Sequence, residues 1–297
     1  MHTTQATSSS APQTWTVLSL VEWAARHLAD QGFDEARLHV ELLLAHVLHL
    51  KRLDLYLQFD RPLLPIELAA FKSLFKRRLT HEPLQYITGE TEFMGLPLFV
   101  DKSVLIPRPE TELLVEKAIE RLAALTLASP DILDVGTGSG NIAIALAHFV
   151  PQSRVLAMDI SPAALATAGR NIERNAVQNV SLVEADIFGS MPSDIPFDMI
   201  LSNPPYVSLE EYAGLQPEVK DFEPRNASTD EGDGLRYIRT IATLASRQLK
   251  AQGSLLLEIG FGQADDALEI VSGAGLSQVQ VFPDVAGIPR VILGTRP

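Results

Sequence analysis

The chain has 297 residues, of which 46% are hydrophobic and 21% charged, with a formal net charge of −13 and a pI near 5.0. That size and composition suit about two globular domains with a sizeable core, and no apolar run is long enough to span a bilayer. There is no cysteine, which removes disulfides, thiolate metal sites and cysteine nucleophiles together, and the acidic balance is unlike that of a protein living on phosphate backbones.

Residues 1–14 are rich in Ser, Thr and Gln and lack the basic start and apolar stretch of a signal peptide. A flexible tail on a cytoplasmic protein is expected. Ser19-Leu20-Val21-Glu22 reads as a capping box. The helix it opens carries Leu20, Trp23, Ala24, His27 and Leu28 on one side and stops near Gly32. A second helix is predicted from Asp34 to about His49, with Val40, Leu43, Leu44, Val47 and Leu48 apolar. A third starts near Pro65, a favoured first-turn residue, and repeats Leu68, Phe71, Phe75 and Leu79 at helical spacing. Residues 15–84 therefore read as a small helical bundle. It carries no visible chemistry, so binding or orienting a substrate is its expected role. The dense basic cluster Lys72, Lys76, Arg77 and Arg78 lies on the third helix and reads as a solvated face. His39, His46 and His49 lack opposing ligands, and no metal is expected.

Gly89 and Gly95 punctuate extended residues, so 85–105 reads as a β-hairpin linking two domains. Ile106-Pro107-Arg108-Pro109 follows as a rigid loop, and a helix begins at Glu110-Thr111-Glu112, where acids suit the helix dipole.

From 106 to 297 strands and helices alternate. Asp131–Val135 is a buried strand running into Gly136-Thr137-Gly138-Ser139-Gly140, with a helix from Asn141. Such glycines let backbone approach a ligand and expose N–H groups at a helix start. The spacing is Gly-x-Gly-x-Gly, which is neither the dinucleotide fingerprint nor a P-loop. Arg154–Asp159 is a second strand, and Asp159 at its end can accept both hydroxyls of a ribose. A third strand ends at Asp186-Ile187, where Asp186 can accept from an exocyclic amine and Ile187 can cover a purine ring. The fourth strand is Phe197–Ser202, stopped by Asn203-Pro204-Pro205-Tyr206. Proline cannot continue a ladder and bars Asn203 from the helical region. Asn203 is thereby held at the carboxyl edge of the sheet, where ligands of open α/β sheets sit. Its amide oxygen and the backbone C=O of Pro204 can accept both hydrogens of a planar NH₂, with Tyr206 against the flat face of that group. A helix over Gly234–Leu249, a strand at Ser254–Gly260 and a closing pair at Val279–Phe282 and Arg290–Leu293 complete seven strands.

These features together resemble class I S-adenosylmethionine-dependent methyltransferases, and the Asn-Pro-Pro-Tyr tetrapeptide points to the amino-methylating branch. The Ile106–Glu112 run, Phe222-Glu223-Pro224-Arg225-Asn226-Ala227, Gly232-Asp233-Gly234-Leu235 and Leu257-Glu258-Ile259-Gly260 narrow it further. They look like the peptide chain release factor glutamine N5-methyltransferase family, over nearly the whole chain from Trp15. The resemblance implies an α/β, Rossmann-like, seven-stranded methyltransferase domain over 106–297, preceded by the bundle and hairpin. It implies methylation of the Gln in the Gly-Gly-Gln loop of bacterial-type (class 1) release factors, with no stable nucleic-acid or membrane partner. It implies cofactor contacts from Gly136, Thr137, Gly138, Ser139, Gly140, Asp159, Asp186, Ile187 and Asn203. Asn203, Pro204, Pro205 and Tyr206 would hold the substrate, with Asn203, Pro204 and Tyr206 carrying the chemistry. Alignment dominates an in-line methyl transfer, so no catalytic histidine is expected. The readings weighed against this one are a DNA or RNA amino-methyltransferase, a dinucleotide-binding oxidoreductase and a non-catalytic module that keeps only the fold.

Overall fold

The computed structural model describes residues 14–125, 127–189 and 196–297, so all but the last residue of the expected tail lies outside the described residues. The chain divides into two compact units, 1–88 and 89–297.

The first unit contains α1 (Val17–Asp30), α2 (Ala36–Leu48), α3 (Arg52–Tyr56), α4 (Pro65–Arg78) and α5 (Leu84–Thr88). The capping box of α1 is Thr16 with Ser19, three residues before the expected start. Ser19 N–H donates to Thr16 Oγ1 at 3.2 Å and Thr16 N–H donates to Ser19 Oγ at 2.9 Å. Thr16 is the residue with extended backbone, fixed there by a bridge to Pro62, so Ser19 falls inside the helix. Residues 85–88, expected as extended, form the last helical turn of this unit instead. Their N–H groups find partners locally: those of Tyr86 and Ile87 both donate to Pro83 O.

Leu20, Ala24 and Leu28 of α1 meet Val40, Leu43 and Leu44 of α2 and Phe71 and Phe75 of α4 in one core. Trp23 stays half exposed and stacks on His27 at 5.5 Å. The basic cluster on α4 is only partly a solvated face. Arg77 donates to both carboxylate oxygens of Glu82 at 2.8 and 2.7 Å. Arg78 is buried, with its guanidinium 4.4 Å from the centre of the Phe33 ring. Glu41 is buried at 1% exposure and accepts from Arg37 Nε, Arg52 Nε and Tyr56 Oη at 2.8, 2.7 and 2.9 Å. Desolvation opposes its charge, but the Arg52, Tyr56 and Arg37 donors outweigh it and hold the carboxyl below its usual pKa.

The second unit opens with a hairpin, β1 (Glu90–Phe93) and β2 (Leu96–Phe99). Its two-residue turn places Met94 and Gly95 at φ 51° and 76°, the left-handed pair that tight hairpins require. Next come α6 (Glu110–Leu125), β3 (Asp131–Val135), α7 (Asn141–Phe149), β4 (Arg154–Asp159), α8 (Pro162–Arg174), β5 (Val180–Glu184) and β6 (Phe197–Ser202). The short helices α9 (Leu209–Tyr212), α10 (Pro217–Phe222) and α11 (Arg225–Ser228) precede α12 (Arg236–Gln248) and β7 (Leu249–Glu258). The unit closes with α13 (Ala264–Gly273), β8 (Ser277–Pro283) and β9 (Pro289–Thr295).

The seven-stranded sheet has the order β5-β4-β3-β6-β7-β9-β8. Its first five strands are parallel, and β9 runs antiparallel to both neighbours. This is the Rossmann-like methyltransferase arrangement with its terminal antiparallel pair. Alternation along each strand feeds two cores. Ile132, Met199, Leu201 and Leu256 join the core beside α6 and α7, while Leu133, Ile200, Leu255 and Leu257 join the core beside α12 and α13. Strands buried on both faces explain why these segments read as continuous apolar runs. The hairpin lies within this unit. Asn171 of α8, fully buried, accepts from Phe99 N–H at 2.6 Å and donates to Phe99 O and Ser139 O at 2.9 Å each.

Candidate active site

The chain leaves β3 towards β4 on one side and returns as β6 on the other. A crevice opens at the carboxyl ends of strands where the order reverses in this way. Gly136, Gly138 and Gly140 have φ of 74°, 55° and 82°, conformations that side-chain-bearing residues resist. The N–H groups of Gly136 and Thr137 both donate to Met158 O at 2.9 Å, which folds the loop onto the end of β4. Asp159 pins it further, accepting from Gly138 N–H at 2.8 Å through Oδ2 and from Ser161 N–H at 2.9 Å through Oδ1.

A cavity of about 460 Å³ lies above this loop. Of the residues singled out in the sequence, Gly136, Thr137, Gly138, Ser139, Asp159, Asp186, Ile187, Asn203, Pro204 and Pro205 line it. Two expected residues do not. Gly140 caps α7 from within the packing. A Cβ there would meet Ile144 Cδ1 at 3.1 Å and Ala168 Cβ at 3.2 Å, so this glycine serves the close approach of α7 and α8. Tyr206 stands behind the wall instead of on it. Its hydroxyl donates to Glu258 Oε1 at 3.1 Å and its carbonyl accepts from Gln263 Nε2 at 2.8 Å. Burial, and next the Glu258 charge, push the Tyr206 phenol well above its ordinary pKa.

The lining fits S-adenosylmethionine. A Cβ on Gly136 would meet no atom within 4 Å, so the missing side chain is cavity space. Asp159 uses one lone pair of each oxygen on backbone N–H groups, and the remaining ones suit a vicinal diol. Asp186 Oδ1 accepts from Phe188 N–H at 2.9 Å, leaving Oδ2 for an exocyclic amine. Ile187, Phe188 and Tyr237 supply apolar surface for a purine. Beneath the loop, Asp134 is fully buried and accepts from Thr137 Oγ1 at 2.6 Å. Burial above all, with Asp159 nearby, lifts its carboxyl to about 7.

The elbow itself is held by a buried series of hydrogen bonds. Asn203 Nδ2 donates to Thr111 Oγ1 at 3.0 Å, and Thr111 Oγ1 donates to Glu258 Oε2 at 2.6 Å. Thr111 and Glu258 are each 1% exposed. No described residue donates to Asn203 Oδ1 or to the Pro204 carbonyl. The site therefore offers two partnerless acceptors beside a cavity, which is what a planar NH₂ needs. Arg108 Nη2, also at this cavity, donates to both oxygens of buried Glu223 at 2.7 and 2.8 Å. That ion pair ties the Pro-Arg-Pro loop to the segment before α11, and both lie along the cavity rim.

Residues 19–89 match the family described as PrmC N-terminal domain, and residues 109–215 match the Methyltransferase small domain family. A release factor glutamine methyltransferase of Geobacter sulfurreducens is 43% identical over 283 residues, covering 95% of this chain and 98% of the relative. The protein of the same description from Chlorobaculum tepidum is 45% identical over 285 residues, 93% and 96% of the two proteins. The chain belongs to the release factor glutamine methyltransferase family. Among solved structures, the release factor-specific protein-(glutamine-N5) methyltransferase of Alicyclobacillus acidocaldarius is 32% identical, with TM-score 0.40, covering 64% of this chain and 94% of that one.

Within this enzyme, Thr111 and Glu258 are among the site residues that no single position in the sequence marks out, as are Phe188 and Tyr237. The Glu258 signal is present but quiet: a carboxylate closing an apolar strand, at the same sheet edge as Asn203. Thr111 gives no local signal, because a first-turn threonine is ordinary. Among the described residues, no three His, Asp or Glu side chains gather in a way that could hold a metal ion.

Proposed function

We propose that the enzyme transfers a methyl group from S-adenosylmethionine to the side-chain amide nitrogen of the glutamine in the Gly-Gly-Gln loop of class 1 peptide chain release factors. Family membership supports the reaction, and one observation carries the assignment to this site: no described residue donates to Asn203 Oδ1 or Pro204 O, and both residues line the cavity. Bound S-adenosylmethionine supplies a methyl group already activated on a positive sulfur, which keeps the S–C electron pair when the carbon leaves. The protein's part is alignment. Gly136–Ser139 backbone, Asp159, Asp186 and Ile187 hold the cofactor. The two acceptors grip both hydrogens of the substrate amide, so its nitrogen faces the methyl in one direction. They also offset the positive charge that grows on nitrogen, and the methylated nitrogen then loses its proton readily to water. Tyr206 supports the elbow from behind, and Gly140 supports the cofactor loop through helix packing. The 15–84 bundle serves to orient the release factor.

Mass spectrometry of purified release factor, after incubation with the enzyme and S-adenosylmethionine, tests this. One added methyl on the Gly-Gly-Gln glutamine is expected. An unmodified glutamine, or label appearing on nucleic acid instead, would overturn the reading.

A further inference from the structure

An asparagine amide has two ends of nearly equal size and opposite hydrogen-bonding character. If the Asn203 amide turned over, its NH₂ would face the substrate NH₂, donor against donor, and the grip would fail. Something must decide which end faces the cavity, and the buried hydrogen bonds behind Asn203 have the right proton inventory to do so. An ionised carboxylate can only accept. Glu258 therefore takes the single hydroxyl proton of Thr111 at 2.6 Å and that of Tyr206 at 3.1 Å. With its proton committed, Thr111 Oγ1 can only accept from its other neighbour, and it accepts from Asn203 Nδ2 at 3.0 Å. The NH₂ end is drawn backwards and Oδ1 is left forward.

We infer that Glu258, acting through Thr111, is a positioning residue that fixes which end of the Asn203 amide meets the substrate amide. This rests on the proposed grip of the glutamine NH₂ by Asn203. The same carboxylate holds the far end of the elbow through Tyr206, whose carbonyl accepts from Gln263 and which packs closely against Gly234 and Gly260. A Cβ on Gly234 would collide with Tyr206 O, and one on Gly260 would meet Tyr206 Cδ2 at 3.1 Å.

The relay has a condition: Glu258 must carry no proton. A protonated Glu258 has a hydrogen to donate, and if it goes to Thr111 the threonine proton turns towards Asn203, favouring the reversed amide. The groups facing Glu258 bear on that balance. Thr111 and Glu110 come from α6, Tyr206 from the elbow and Arg290 from β9, with Arg108 beside Tyr206. Burial dominates and brings the carboxyl to about 7, opposed by the Thr111 and Tyr206 hydroxyls and by Arg290.

The test compares wild type, T111V, T111S and E258Q, each checked for an unchanged melting temperature. Steady-state methylation of release factor is measured from pH 5 to 9, roughly two units either side of the site's balance. Cofactor affinity is measured by calorimetry. We expect T111V and E258Q to lose roughly 10–100-fold in kcat at the alkaline end, with cofactor Kd within about twofold. T111S, which keeps the hydroxyl, stays within about threefold of wild type. Wild-type kcat falls towards acid as Glu258 gains its proton, and in E258Q this limb disappears. An independent readout is the Asn203 side-chain NH₂ resonance, assigned by its absence in N203A. It shifts with the Glu258 titration in wild type and not in E258Q. Wild-type kcat in T111V and E258Q, or an Asn203 resonance blind to pH, overturns the relay. Failure of wild type to methylate release factor would instead sink the function, and the resonance would still decide the relay.

Discussion

Two buried glutamates, one in each unit, share an exposure of 1% and end with opposite electrostatics. Glu41 in the bundle is surrounded by two guanidinium groups and a phenol and is held below its usual pKa. Glu258 in the catalytic unit has, among the described residues, two neutral hydroxyls as its direct side-chain donors and is lifted to about 7. Burial alone does not distinguish a structural carboxylate from one poised at a site; the charge of its donors does. The bundle glutamate is paired with two guanidinium groups and ties α2 to α3. The cleft glutamate is left responsive, and what it controls is the direction of the threonine proton behind Asn203.

Substitutions in either unit test this difference between the two carboxylates. The largest effect is expected at the output of the cleft network. Asn203→Ala should cost about 2–4 kcal/mol of transition-state stabilisation, read as kcat on release factor, while cofactor affinity stays near wild type. Turnover near wild type would remove Asn203 from the grip on the substrate amide. On the bundle side, Glu41→Gln keeps the shape but removes the charge that Arg37 and Arg52 share. Both arginines are about half exposed and can rehydrate, so the loss should be about 1–3 kcal/mol of stability in a denaturant titration. Turnover at a permissive temperature should be unchanged, and a turnover defect without destabilisation would contradict the division between the two sites. Asp159→Ala sharpens the contrast with a third carboxylate, one whose remaining lone pairs face the cavity. It should weaken cofactor binding by about tenfold, on the order of 1–2 kcal/mol, with kcat at saturating cofactor less affected. An unchanged calorimetric affinity would count against it.

Much of the catalytic unit is legible in the sequence because its signals are local. Apolar runs bounded by glycine and proline mark β3, β4 and β6, and the prolines after Asn203 place that amide at a strand end without any knowledge of the tertiary fold. The misreadings arise where two local signals compete or where contacts are distant. Ser19 is a plausible cap, but Thr16 is fixed in extended backbone by Pro62 and takes the position. Residues 85–88 combine a β-branched and aromatic composition with a helical turn started by Pro83. Tyr206 illustrates a further limit. Its place on the elbow follows from the two prolines before it, but the side to which its ring turns does not: its hydroxyl donates to Glu258, while Gln263 holds its backbone carbonyl. The pairing of Thr111 with Glu258 spans 147 residues, so no window of sequence contains it.

The most direct test is a structure of the enzyme with its release factor and demethylated cofactor, read at the target glutamine. The glutamine amide nitrogen is predicted to lie about 2.7–3.2 Å from both Asn203 Oδ1 and Pro204 O, with Asn203 Nδ2 still on Thr111. A glutamine nitrogen beyond hydrogen-bond reach of both oxygens, or an Asn203 amide turned with Nδ2 towards the substrate, would contradict it.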